Sequence, residues 1–402
     1  MKRFMTIASL LAAAAMLVSC AEKAGDENGG EGTGNAGTLR LVLDKDVIQN
    51  NGSDAATFKV MLGEEDVTSK STIYDDENEE LKLSNGKFTA TKTGMYKFWA
   101  SYGTYVTYDP KAYDSGYVTV NVIPVPVPAA ATDVTPDKTS FVRRVFLAQS
   151  TGTECKYCPG MVYIMRQTFD KDKMVLAAVH NFASGDPAYV PQPTYGALGA
   201  SAVPGVAIDL STSFGDCTDQ PALASAIKKR YDVEDAHVGI SVNSVIENDM
   251  LIAKVCVKAA VDGNYNVGAW LLEDNISGYQ ADELKIKQLD KEHNYDLHHN
   301  CVRAVQSGVG SQSYVGFPLG DIKAGETVEK TFVMYLFKET ASNDNGDKVD
   351  DSWKIEDLHL AVFVTEPDTK GLYFQKFNGQ YYTVNNAIDC KIDCEVGFDY
   401  AE

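Results

Sequence analysis

The stretch Gln149-Ser150-Thr151-Gly152-Thr153-Glu154-Cys155-Lys156-Tyr157-Cys158-Pro159 decides the fold. The apolar run Val145-Phe146-Leu147-Ala148 before it has the pattern of a buried strand, and the periodic segment 161–169 after it that of a helix. A Cys-x-x-Cys at such a junction sets its first sulfur near a helix N-terminus. Unpaired backbone N–H groups and the helix dipole there favour thiolate over thiol. The second cysteine falls close enough to close a disulfide, and Pro159 occupies a first turn where its missing N–H costs little.

Further along, Ser201-Ala202-Val203-Pro204-Gly205 leads into the short strand Val206-Ala207-Ile208-Asp209. The order strand, Cys-x-x-Cys, helix, strand (175–182), proline, strand, helix (221–231) resembles the thioredoxin superfamily over residues 140–232. That resemblance implies a cis Val203–Pro204 bond beside the cysteine pair. It also implies roles: Cys155 as attacking sulfur, Cys158 as resolving sulfur, Pro204 shaping a peptide groove. Two residues differ from the thioredoxin pattern. Glu154 stands where thioredoxins carry Trp, and Gln149 stands where they carry the buried Asp that takes a proton from the second thiol. A glutamine cannot take that proton.

At the N-terminus, Lys2 and Arg3 precede an apolar segment that is too short to span a bilayer. Leu17-Val18-Ser19-Cys20 resembles a bacterial lipobox, which implies a signal peptide over 1–19 and a mature chain that begins at a lipidated Cys20. The protein is then anchored to a membrane by lipid, in the cell envelope at the outer membrane. Residues 20–37 lack apolar periodicity and have the composition of a flexible tether. The 56 Asp and Glu against 36 Lys and Arg, a net charge of -20, argue against nucleic acid as a partner.

Alternation in Leu39-Leu41-Leu43, Phe58-Val60-Leu62, Tyr96-Phe98-Ala100 and 117–122 predicts a small β-sandwich over 38–123, which resembles the immunoglobulin-like modules that follow the tether in many surface lipoproteins. The acidic run 75–80 is read as a solvated loop, with calcium as the alternative. Ile123-Pro124-Val125-Pro126-Val127-Pro128 opens an extended linker over 124–138. A thioredoxin-like domain is expected over 139–232. Eight strand-like segments over 233–402, including the hairpin at Glu247-Asn248-Asp249, predict a C-terminal β-sandwich. The fold class is therefore α+β and multidomain.

The segment 151–159, Val179-His180-Asn181 and His299-Asn300-Cys301-Val302-Arg303-Ala304 together resemble the twenty-eight-kilodalton outer membrane protein family of anaerobic Gram-negative bacteria. The resemblance covers 140–402 and implies a lipoprotein of the envelope. It brings no defined activity.

With Cys20 lipidated, Cys155, Cys158, Cys217, Cys256, Cys301, Cys390 and Cys394 remain, an odd set that leaves one thiol unpaired. Cys390 and Cys394 are near enough in sequence for a local bridge, and Cys256 and Cys301 have the setting of buried small hydrophobes. Zinc at Cys155 and Cys158 would need two more ligands, and only His180 offers itself. His293, His298 and His299 are read as a solvated polar loop, and 343–347 as a surface turn. No cofactor or metal is expected. No Gly-x-Ser-x-Gly, His-Glu-x-x-His or phosphate loop appears.

Two functions fit the sequence. One is a surface lipoprotein whose β modules bind a protein or glycan, with Tyr102, Tyr105, Tyr108 and Tyr113 as a contact surface. The other is a membrane-anchored thiol–disulfide oxidoreductase acting on exported proteins through Cys155, Cys158 and Pro204.

Overall fold

The structure is a computed structural model. It describes residues 38–77, 79–81, 83, 86–107, 117–191, 193–194, 196–200, 202–233, 235–307, 314–336, 353–368, 376–377 and 380–402, with backbone alone at 17–18, 233 and 376–377. The fold is β-rich and multidomain. The chain divides into two compact units, Met1–Ile123 and Pro124–Glu402. Apart from the backbone of 17–18, the expected signal peptide, Cys20, the tether, Tyr108, Tyr113 and 343–347 lie outside the described residues.

In the first unit, Leu39–Leu43 pairs antiparallel with Ala56–Leu62. A second sheet joins Val47–Gln49, Val118–Ile123, Gly94–Tyr102 and Thr72–Asp75. The inward residues of both sheets share one core, in which Phe58 meets Phe98 edge-on at 5.0 Å. Alternate residues of Gly94–Tyr102 point inward, as the period of two in the sequence requires. Tyr102 and Tyr105 face each other across a tight turn and pack on this core. Asp75 builds a turn of its own, accepting the amides of Glu77 (3.1 Å) and Glu79 (2.8 Å).

The second unit begins with β1 (Val145–Thr151), α1 (Cys158–Thr168), β2 (Met174–His180), β3 (Gly205–Ile208), β4 (Thr212–Phe214) and α2 (Gln220–Val233). β1 runs parallel to β2 and antiparallel to β3. Val145 and Leu147 pack with Ile164, Met165, Leu223 and Ile227 of the helices. The rest of the unit is β5 (Val238–Glu247), β6 (Met250–Ala259), β7 (Gly263–Glu273), β8 (Cys301–Gln306), β9 (Phe317–Ile322), β10 (Thr327–Tyr335), β11 (Leu358–Asp368) and β12 (Gln380–Lys391). Asn248 and Asp249 both have positive φ, the conformation of a tight hairpin turn between β5 and β6.

Residues 139–232 and 233–402 do not form separate sheets. β8 pairs with β2, so one sheet runs β4-β3-β1-β2-β8-β7-β11-β12. It curls on itself: Phe146 of β1, Trp270 of β7 and Phe363 of β11 meet at ring distances of 4.9 to 5.6 Å. On the other face of β7 and β11, Val267, Leu271, Leu360 and Val364 pack against the sheet β10-β6-β5. Strands covered on both faces explain the unbroken apolar runs of β1 and β11.

Residues 129–138, expected as a spacer, are fastened to the second unit. The buried Lys258 donates to Asp133 (2.9 Å), the Pro136 carbonyl (2.6 Å) and Tyr400 (3.1 Å). Burial opposes its charge, but Asp133 and Tyr400 hold its pKa above the usual lysine value.

A fragment of residues 38–123 is expected to give strand-type circular dichroism and a cooperative melt. In it, Phe58→Ala should cost about 3–5 kcal/mol in urea denaturation, the range for emptying a buried aromatic site. A disordered fragment would contradict the division at Ile123.

Candidate functional site

Cys155 and Cys158 form a disulfide with Cα atoms 5.4 Å apart. The bridge sits in the turn between β1 and α1. α1 begins at Cys158, so Cys155 lies one turn before the helix. The Cys158 amide donates to the Cys155 carbonyl at 3.2 Å. Both cysteines are buried, Cys155 4% exposed and Cys158 0%. Val203–Pro204 is cis, and β3 then places Gly205 opposite Ser150.

A strap from the loop after β7 covers the turn. Ala281 N donates to the Thr153 carbonyl (2.8 Å) and Glu283 N to the Lys156 carbonyl (2.9 Å). Gln280 Nε2 reaches the carbonyls of Thr153 (3.1 Å) and Cys155 (2.9 Å). A Cβ added at Gly160 would come within 2.8 Å of Leu284 and 2.9 Å of the Cys217 carbonyl, so only glycine lets these segments close over α1.

Beneath the turn lies a buried polar cluster. Asp186 accepts from Thr153 N (2.7 Å), Ala188 N (2.8 Å) and His180 Nδ1 (2.8 Å). His180 Nε2 lies 3.6 Å from Cys301 Sγ, and the His298 ring stands edge-on to the His180 ring at 5.0 Å. Burial disfavours charge on His180, but Cys301 and Asp186 outweigh it and raise the imidazole to about 10. Burial alone would raise Asp186; His180 and the two backbone amides bring it down to about 2.

A cavity of about 270 Å³ opens between α1, β2 and 293–300. Val162, Met165, Phe169 and Leu176 give it apolar walls, and Gln149, His180, His293, His298 and His299 line it too. The histidines read as a solvated loop therefore face a cavity, and His298 is buried with Nε2 2.9 Å from the Gly278 carbonyl. Burial, then the neighbouring His180 charge, lowers its pKa. Gln149 is 3% exposed, and its Nε2 has no hydrogen-bond partner among the described residues.

His180 does not join Cys155 and Cys158; its two nitrogens face Asp186 and Cys301. Among the described residues no three His, Cys, Asp or Glu side chains converge as a metal site. Cys217, Cys256, Cys301, Cys390 and Cys394 are free, so Cys390 and Cys394 form no local bridge. The strap and the Asp186 cluster escape sequence reading, because neither has periodicity and their partners are far apart in the chain.

No family model matches the chain, and no curated protein matches it. Among solved structures it is similar to HBP35 of Porphyromonas gingivalis, at 18% identity and a TM-score of 0.45, over 64% of this chain and 77% of that one. It is also similar to a structural-genomics protein of Agrobacterium tumefaciens, at 12% identity and a TM-score of 0.37, over 61% of this chain and 93% of that one. No helix among the described residues is long and apolar enough to cross a membrane.

Asp186→Asn should cost about 3–5 kcal/mol, because it leaves the buried imidazolium without its partner. A histidine raised on folding stabilises fully below its unfolded pKa of about 6.5 and loses that contribution as pH climbs toward its folded value. Wild-type stability should therefore fall between pH 7 and 10, and less steeply in Asp186→Asn. His359, raised to about 9 against burial by Asp274 and Asp389, titrates in both proteins, so the difference isolates His180. Urea denaturation across this range measures it; parallel slopes would contradict the pairing.

Proposed function

We propose that the protein is a lipid-anchored binding protein of the cell envelope, in which a thioredoxin-like unit is scaffold and Cys155–Cys158 is a structural bridge. The strap over the cysteine turn carries this reading. An exchange site presents its attacking sulfur to a substrate disulfide. Here residues 280–283 occupy the backbone edge of 153–156 that a substrate peptide would approach, and Cys155 is 4% exposed. Gln149, in the place of the proton-accepting Asp, favours the same reading. The lipobox at Cys20 and the resemblance to the twenty-eight-kilodalton outer membrane protein family support the location.

The partner in this reading is a protein or glycan held by the β modules. The first unit offers a flat aromatic face: Tyr74 stacks on Trp99 at 4.2 Å and 16°, with both rings on the side of the sheet away from the core. Such faces suit sugar rings and extended peptides.

The second reading is a thiol–disulfide oxidoreductase acting on exported proteins, with Cys155 attacking, Cys158 resolving and Pro204 lining the groove. The position of the pair, between a strand and a helix with Pro204 leading into the adjacent strand, favours it.

A glutathione redox titration of the mature protein, read by alkylation and mass, separates the two. The structural reading expects a potential below about -300 mV and no insulin reduction. A potential above roughly -270 mV with turnover would replace it by the oxidoreductase.

A further inference from the structure

Cys301 belongs to neither reading. It opens β8, is fully buried, and lies beside an imidazole that is itself fixed by a buried carboxylate. The sequence of contacts is Cys301 Sγ to His180 Nε2, 3.6 Å, then His180 Nδ1 to Asp186 Oδ2, 2.8 Å. Nucleophile, base and orienting carboxylate in this order are the arrangement that activates a thiol. Asp186 is oriented in turn by the amides of Thr153 and Ala188. We propose that Cys301, His180 and Asp186 form a second thiol centre, in which a Cys301 thiolate paired with a His180 imidazolium reacts with hydrogen peroxide.

The other buried free thiols lack this setting. Burial and Glu329 raise the Cys256 thiol; burial and Asp389 raise the Cys390 thiol. The Cys390 thiol donates to the Leu360 carbonyl, at 3.6 Å. Cys301 also touches the His299 carbonyl, at 3.7 Å, which takes the thiol proton in the neutral form.

The size of the co-reactant follows from burial. The sulfur is 0% exposed, which excludes peptide or acyl substrates. His180 and Asn300, the chain neighbour of Cys301, line the cavity while Cys301 itself lies behind them, so only a molecule not much larger than water, admitted as those side chains move, fits the pair. In the step, Sγ attacks one peroxide oxygen and the O–O bond breaks. The leaving hydroxide takes the proton from His180 Nε2 and departs as water. Cys301 is oxidised to the sulfenic acid, peroxide is reduced, and His180 is left neutral.

The charged groups around the pair are Asp186, His298 edge-on to His180, and the Glu273–Arg303 ion pair (2.6 Å) on β7 and β8. Burial, then the His180 charge, disfavours a proton on His298.

The test treats the mature protein with hydrogen peroxide, quenches into denaturant containing dimedone, and maps label on the five free cysteines. Cys301 should be labelled at least about tenfold faster than Cys256 and Cys390, as a thiolate is against buried thiols. Its rate should stay nearly constant from pH 6 to 8. His180→Gln should slow it by about 10- to 100-fold at pH 6, with labelling of Cys217 unchanged as the control for folding. A Cys301 no faster than Cys390 overturns the proposal. So does a wild-type rate that climbs about tenfold per pH unit across this range, as for an unpaired thiol. If His180→Gln does not fold, the wild-type profile decides alone.

Discussion

One carboxylate without solvent contact, Asp186, joins the three segments on which the site depends. Its oxygens take the Thr153 amide at the cysteine turn, the Ala188 amide of its own loop, and the His180 imidazole at the end of β2. A buried charge is tolerated only when its partners are complete, and here backbone amides and an imidazole supply them. Through His180 the same carboxylate reaches Cys301 of β8, on the far side of the strand pair that joins the α/β part to the β part. The Arg303 guanidinium closes the circuit, donating to Glu273 (2.6 Å) and to the Pro187 carbonyl (3.1 Å).

The fused sheet explains why the cysteine turn is covered. Because β8 pairs directly with β2, the chain between β7 and β8 must pass over the end of the sheet where the turn lies. That connection is the strap, and it meets the turn with backbone amides on backbone carbonyls. Gly278 and Gly160 permit the approach, since a Cβ at either would come within 2.7 or 2.8 Å of its neighbours. The features that make the turn look reactive in sequence, a cysteine pair before a helix with a proline leading into the next strand, are here built into a wall.

Much of this architecture was legible in the residues. The apolar run of β1, the helix after Cys158 and the Asn248-Asp249 hairpin followed from period and turn chemistry. β9 is not among the strands expected from the sequence; Pro318 and Gly320 interrupt its pattern, and β9 bulges around them on β7. The sequence pattern expects a strand over 380–384, whereas β12 runs on through the polar Asn385 and Asn386 to Lys391. In the fold Asn386 is buried and donates to the Val142 and Val238 carbonyls, so its polarity is spent inside. The pairing of β2 with β8 links Ala178 to Cys301, a contact between segments that no local pattern connects. For the same reason the sequence offers His180 as a ligand candidate and Cys301 as a buried small hydrophobe, with nothing local to join them.

The scaffold role requires the strap to be closed in solution. Hydrogen exchange of the Ala281 and Glu283 amides in the oxidised protein tests it most directly, since these donate to Thr153 and Lys156. Closure predicts exchange as slow as that of the central amides of β1, opened only with the surrounding sheet. Exchange at the rate of an unstructured peptide would mean that the strap lifts freely, exposing the Cys155–Cys158 turn to a substrate, and would contradict the scaffold reading.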